Sequence, residues 1–194
     1  MGKLALGLLL ALGFAATSAL SLPKYRISPR ACPSFTTKPD FEVVPYLGEW
    51  FEQKTFPSPF QDHFSCVRAR YSPLDDGTVE VYNVATNLDG EPEVILGYAY
   101  QANPEAEPGM LSVVFPGTPG GMYAVLDTDY VNYAAVYSCQ DLGPLYLEFA
   151  WVLAREVNAT QEVVDEALSK FEQFQIDISK FYDTQHPASC VYDP

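Results

Sequence analysis

A chain of 194 residues has room for one ordinary domain. It is 48% hydrophobic and 14% aromatic, which excludes a disordered chain. Its formal net charge is −14 and no basic stripe is visible, which excludes a nucleic-acid partner: so acidic a surface repels phosphate.

The chain opens on MGKLALGLLLALGFAATSALSL, one early cation (Lys3), then a short apolar run, then small residues. Residues 1–22 read as a signal peptide cut between Ala19 and Leu22, and the protein as secreted. The run is too short for a comfortable transmembrane segment and no second one follows. Residues 23–45 are Pro-rich and read as an N-terminal arm, leaving 46–194 as the folded domain.

Eight short β-type segments then follow: 49–56, 64–71, 78–86, 93–101, 110–115, 121–127, 132–139 and 146–154. The Gly- and Pro-bearing stretches SPLDDG, NLDGEP and PGTPGG separate several of them as hairpin turns. Alternation puts Val79, Val81 and Asn83 on one face, with Thr78, Glu80 and Tyr82 on the other. It likewise groups Leu147, Phe149, Trp151, Leu153 and Arg155 on one face. Consecutive strands with short turns predict a meander, and closing it into a barrel removes the exposed edges. The period changes after the last strand. Val163, Val164, Ala167, Leu168, Phe171 and Phe174 recur at helical spacing, so 161–173 reads as a helix on the outside of the barrel. Thr160 is placed as its N-cap, and Glu162 and Asp165 near its positive end. An extended tail, 177–181, leads on to Cys190.

Four cysteines, Cys32, Cys66, Cys139 and Cys190, are an even count that predicts two disulfides in a secreted chain, with three pairings open. They are too widely spaced for a metal site, and the only histidines are His63 and His186. His63, closing the loop SPFQDH, reads as an exposed residue at the mouth; His186, before Pro187, as an inert tail residue. No G-x-S-x-G or H-E-x-x-H occurs, and PGTPGG lacks the lysine and following helix of a phosphate cradle. Asn158-Ala159-Thr160 is a glycosylation acceptor in a secreted chain.

Three short elements carry a resemblance: Gly48-Glu49-Trp50 at the first strand, Thr128-Asp129-Tyr130 between the sixth and seventh, and Arg155 after the eighth. In this order they resemble the signature regions of the lipocalins. The runs LDTDYVNYAAVYSC and EFAWVLAR are similar to the apolipoprotein D-like branch, with its insect bilin-binding lipocalins and crustacyanins. The tail ISKFYDTQHPASCVYDP is similar to crustacyanin subunits, and the likeness covers residues 31–194.

The resemblance implies an all-β fold, an eight-stranded antiparallel up-and-down lipocalin barrel with one C-terminal helix outside. It implies that Arg155 stacks on Trp50 as a plug at the closed end, and that the disulfides are Cys32–Cys139 and Cys66–Cys190. That pairing leaves no thiolate nucleophile. The resemblance also turns the face of Leu147, Phe149, Trp151 and Leu153 inward, and places Tyr71, Asn83, Asn87, Phe115 and Tyr123 near the cavity or its mouth. The function it implies is carriage of a small hydrophobic ligand, a fatty acid, sterol or retinoid-like lipid, with no further cofactor. The alternative is a pigment protein that holds a carotenoid or bilin and assembles with itself or related lipocalins. A lipid-acting enzyme is the remote third reading.

Overall fold

The computed structural model describes residues 31–192, so the segment read as a signal peptide lies outside the described residues. Eight strands follow in chain order: β1 (Gly48–Thr55), β2 (Ser65–Pro73), β3 (Val79–Thr86), β4 (Pro92–Gln101), β5 (Met110–Val114), β6 (Gly121–Thr128), β7 (Tyr133–Asp141) and β8 (Tyr146–Ala154). Each pairs antiparallel with the next, and β1 pairs with both β8 and β2, so the sheet closes on itself. Closure satisfies the edge N–H and C=O groups that an open meander would expose. Asp-Gly, at Asp76-Gly77 and Asp89-Gly90, closes the β2–β3 and β3–β4 turns with positive φ at each glycine.

The helix, α2 (Gln161–Gln173), lies where the 3.6-residue period put it and buries Val164, Ala167 and Phe171. Those side chains meet Tyr133, Ala135, Tyr137, Ala150 and Val152 on the outer face of β7 and β8. Asp127 fastens this layer. It accepts from Tyr133 Oη at 2.9 Å and pairs with Lys170 of α2 at 3.2 Å and with Lys38 of the arm at 3.6 Å. The N-cap expectation needs correction: Thr160 occupies the cap position, but its side chain makes no capping bond. The Glu162 carboxylate, whose pKa is lowered first by its own backbone N–H, takes the Thr160 hydroxyl instead.

Two more expectations change. The arm is not wholly irregular: α1 (Val43–Tyr46) makes one helical turn, with Leu47 N–H donating to Val43 C=O at 3.2 Å. Pro45 is tolerated there because first-turn N–H groups have no helical partner. The tail is not extended over 177–181. The Asp177 carboxylate accepts from Ser179 N–H at 3.1 Å and curls residues Ile178–Lys180 into a 3₁₀ turn. A ninth short strand, β9 (Tyr182–Asp183), follows and pairs with β1.

That ninth strand has a structural job. Pairing between β1 and β2 stops at Phe51 and Arg68, short of the open end. The tail enters the gap. Thr184 N–H donates to Gln53 C=O at 2.9 Å on the β1 side, and Gln185 C=O accepts from Cys66 N–H at 2.9 Å on the β2 side. The Cys66–Cys190 disulfide holds the tail there, and Cys32–Cys139 holds the arm to β7. Both pairings match those the resemblance implied.

Candidate functional site: a one-ended cavity inside the barrel

The closed end is built from the three signature elements. Positive φ at Gly48 (97°) lets the chain turn into β1 beneath the plug, and a Cβ there would meet Arg155 Nη1 at 3.3 Å. Arg155 lies over the Trp50 ring at 3.7 Å and donates to the carbonyls of Tyr130 (3.0 Å), Glu49 (2.7 Å) and Pro45 (3.0 Å). The indole N–H of fully buried Trp50 donates to Tyr46 C=O at 2.9 Å. Asp129 holds the facing turn by accepting from the N–H groups of Val131, Asn132 and Tyr133. Thr128 Oγ1 accepts from Tyr130 N–H at 2.9 Å, and Tyr130 takes positive φ (68°). These contacts seal the barrel floor and engage the Arg155 guanidinium and the Trp50 N–H within the protein.

Above the plug lies a cavity of about 760 Å³, within the ~300–1,000 Å³ usual for small-molecule sites. Its walls are mostly aliphatic and aromatic, including Val79, Val81, Ala99, Leu111, Val113 and Leu153. A column of rings climbs from floor to mouth. Tyr46 packs on Trp50 with centroids 5.1 Å apart and stacks on Tyr71 at 5.7 Å. Tyr71 meets Tyr123 at 6.4 Å, Tyr123 stacks on Trp151 at 6.3 Å, and Trp151 on Phe149 at 6.1 Å. Phe149 reaches Phe60, 55% exposed in the loop between β1 and β2, at 5.0 Å.

Polar groups are few and uncharged at the floor. Tyr123 Oη bonds to Tyr46 Oη at 2.9 Å and to Tyr71 Oη at 3.0 Å. Burial pushes all three phenols upward, Tyr71 to about 12, so they remain protonated at physiological pH. Higher up, Asn83 lines the cavity, and its buried Oδ1 has no hydrogen-bond partner among the described residues. The wall also holds Glu52, only 3% exposed, whose carboxylate accepts from Gln61 Nε2 at 2.7 Å and from Thr184 Oγ1. Burial raises its pKa to about 7, against the lowering effect of those two bonds.

Tyr71, Asn83, Phe115, Tyr123, Phe149, Trp151 and Leu153 therefore lie on one cavity wall system, as read from the sequence. Asn87 does not line it. The residue stands at the rim, but its Oδ1 accepts from Asp89 and Glu91 N–H and its Nδ2 donates to Glu93, so the amide is spent inside the β3–β4 turn. Leu147 shares the parity of Trp151 yet is absent from the lining, because it lies near the β8 end, opposite Gln140. His186 is not inert: Nε2 donates to Glu52 C=O at 2.6 Å and Nδ1 accepts from Tyr192 Oη at 2.8 Å. His63 is exposed and rests on Tyr182, outside the lining. Asn158 is exposed just before α2.

Tyr46, Glu52, Phe60 and Gln61 were missed. A signal existed for Glu52, since it shares the parity of Trp50 two residues away. Tyr46 had none, because α1 interrupts the pattern that would have predicted its direction.

A closed antiparallel barrel, sealed at one end and holding an apolar cavity open at the other, defines a small-molecule-binding β-barrel. A family model described as a lipocalin-like domain matches residues 41–186, and the chain belongs to the lipocalin family. It is 36% identical over 161 residues to apolipoprotein D of Mus musculus, covering 82% of this chain and 84% of that one. Among solved structures, H1 crustacyanin from Homarus americanus superposes with a TM-score of 0.75 at 27% identity, covering 88% of this chain and 96% of that one. Insecticyanin from Manduca sexta gives a TM-score of 0.75 at 28% identity, covering 87% and 93%. Among the described residues, no helix is long and apolar enough to cross a membrane.

Proposed function

We propose that the protein is a secreted carrier that takes a small hydrophobic molecule, a fatty acid, sterol or retinoid-like lipid, into its barrel. The observation that carries this reading is the cavity of about 760 Å³, walled by aliphatic side chains and a column of stacked rings, with few polar groups to orient a guest. Trp151, Phe149, Leu153, Phe115 and Tyr123 form the apolar walls for the ligand. Asn83 and the hydroxyl of Tyr71 supply polar contacts. Burying apolar ligand surface there contributes about 25 cal/mol per Å².

Likeness to the crustacyanins and insecticyanin favours a second reading, a pigment carrier for a carotenoid or bilin that assembles with itself or related lipocalins. The exposed Asn158 is a glycosylation site in either case. Mass spectrometry of an organic extract from protein purified from its source tests both readings: a colourless lipid supports the first, a chromophore the second. Protein that yields neither, and binds no lipid, carotenoid or bilin at micromolar concentration, overturns both.

A further inference from the structure

Glu52 stands where three pieces of the molecule meet. Its side chain lines the cavity, Gln61 reaches it from the loop between β1 and β2, and Thr184 reaches it from the tail that fills the gap between β1 and β2. Both bonding partners are uncharged. The charged and titratable groups around it lie as follows. On β1, Lys54 pairs with Asp183 of the tail. On β2, Arg68 pairs with Glu49 at 2.7 Å and bonds the Tyr192 carbonyl. From the tail, His186 bonds the backbone of Glu52, not its carboxylate, and burial lowers the histidine's pKa. From the loop, Asp62 and His63 face each other at 3.8 Å. At the mouth, Glu93 is bonded to Asn87. On β8, Glu148 bonds Tyr137 and Lys180 in the layer beneath α2. The three floor tyrosines keep their protons.

We propose that Glu52 couples ligand binding to proton uptake, so that the barrel holds an uncharged lipid more tightly in mildly acidic than in mildly alkaline surroundings. This rests on the carrier reading above and adds a regulation of the same site. The physical reason is solvent. An apolar guest displaces water from the wall beside a carboxylate, and a low-dielectric neighbour disfavours the charged form. Glu52 already titrates near neutrality, at about 7, because burial outweighs its two hydrogen bonds. Filling the cavity moves that titration further up. Whatever raises a group's proton affinity on binding makes binding stronger when protons are abundant. Below about pH 6 the carboxyl is neutral with or without ligand, and affinity is flat. Above that the bound state must keep or regain a proton that the free state has lost. Affinity then falls by at most about tenfold per pH unit until the bound form also ionises.

The test uses all-trans retinol, which carries no titratable group in this range. Its fluorescence is titrated with the full-length mature protein from pH 5.5 to 8.5. Calorimetry near pH 7 in two buffers of different ionisation heat counts protons. Expected are a dissociation constant that weakens about tenfold between pH 6 and 8.5, and fractional proton uptake near pH 7. In Glu52→Gln, which mimics the neutral form, both dependences vanish while His63 and His186 remain. A wild-type affinity that is flat across the range, or a slope that survives in Glu52→Gln, overturns the proposal and leaves the carrier reading standing. Absence of retinol, sterol and fatty-acid binding at every pH overturns both together. If Glu52→Gln does not fold, proton counting on the wild type decides alone.

Discussion

Trp151 is the residue whose removal most directly tests the cavity. It sits midway in the ring column, stacked between Tyr123 at 6.3 Å and Phe149 at 6.1 Å. Arg155, four residues further along the chain, serves the plug, so the indole stands about 13 Å above the floor. An indole presents about 150–250 Å² of surface when fully buried. With Tyr123 and Phe149 covering much of it, roughly 60–100 Å² is left for a guest. At about 25 cal/mol per Å², that contact contributes about 1.5–2.5 kcal/mol. Trp151→Ala should therefore weaken retinol or sterol binding by about ten- to sixtyfold. Calorimetry measures the loss. Intrinsic fluorescence supplies a second readout, because the only other tryptophan, Trp50, is sealed beneath Arg155. Saturable quenching at about one ligand per chain should disappear in the variant. An affinity unchanged within twofold, in a variant that remains folded by circular dichroism, refutes the placement of the ligand against β8.

Arg155→Ala loses the stacking and carbonyl bonds of the plug, and should lower unfolding free energy by about 1–3 kcal/mol while retinol affinity changes less than threefold; urea denaturation beside a binding titration separates the two. Asn83→Leu replaces a buried acceptor that has no partner among the described residues with an apolar group, and should raise the ligand-free unfolding free energy by about 1 kcal/mol. A loss of stability there means that Asn83 is satisfied in solution. Glu52 also sets a pH dependence of stability without ligand. Its folded pKa of about 7 exceeds the ordinary glutamate value of 4.5, so its contribution is fully present below about pH 4.5 and is lost as pH rises through 7. Against Glu52→Gln, the wild type should lose about 2–4 kcal/mol between pH 4.5 and 8 by denaturant titration, and parallel curves rule this out.

Periodicity made most of the barrel legible. Alternation grouped Val79, Val81 and Asn83 on one face of β3 and Phe149, Trp151 and Leu153 on one face of β8, and each set lines the cavity; which face turns inward came from the family likeness. Alternation says nothing about where a side chain spends its hydrogen bonds. Asn87 stands at the rim, but an amide at the first position of an Asp-Gly turn is drawn to the backbone N–H groups two and four residues on. Short helical turns are equally silent. Tyr46 reaches the floor only because α1 bends the arm under the barrel, and four residues carry too little period to announce it. The disulfide partners were legible through family likeness and not through physics, since four widely spaced cysteines allow three pairings.

The two ends of the barrel solve opposite problems with the same device, chain from outside the eight-strand meander. At the floor, backbone carbonyls of α1 receive Arg155 and Trp50, so these buried donors are satisfied by the protein. At the mouth, β1 and β2 separate, which widens the entrance but would strand their backbone groups. The tail repairs this with bonds to both strands, and Cys66–Cys190 prevents its loss. The repair is made of weaker parts: a two-residue strand, a histidine between two oxygens, and one buried carboxyl held by neutral donors. Local opening draws on the segments with the fewest buried contacts. Ligand entry should therefore involve the tail and the loop between β1 and β2, whose Gln61 and Thr184 share Glu52, while the plug stays closed. The group that senses protons lies between the pieces that must part.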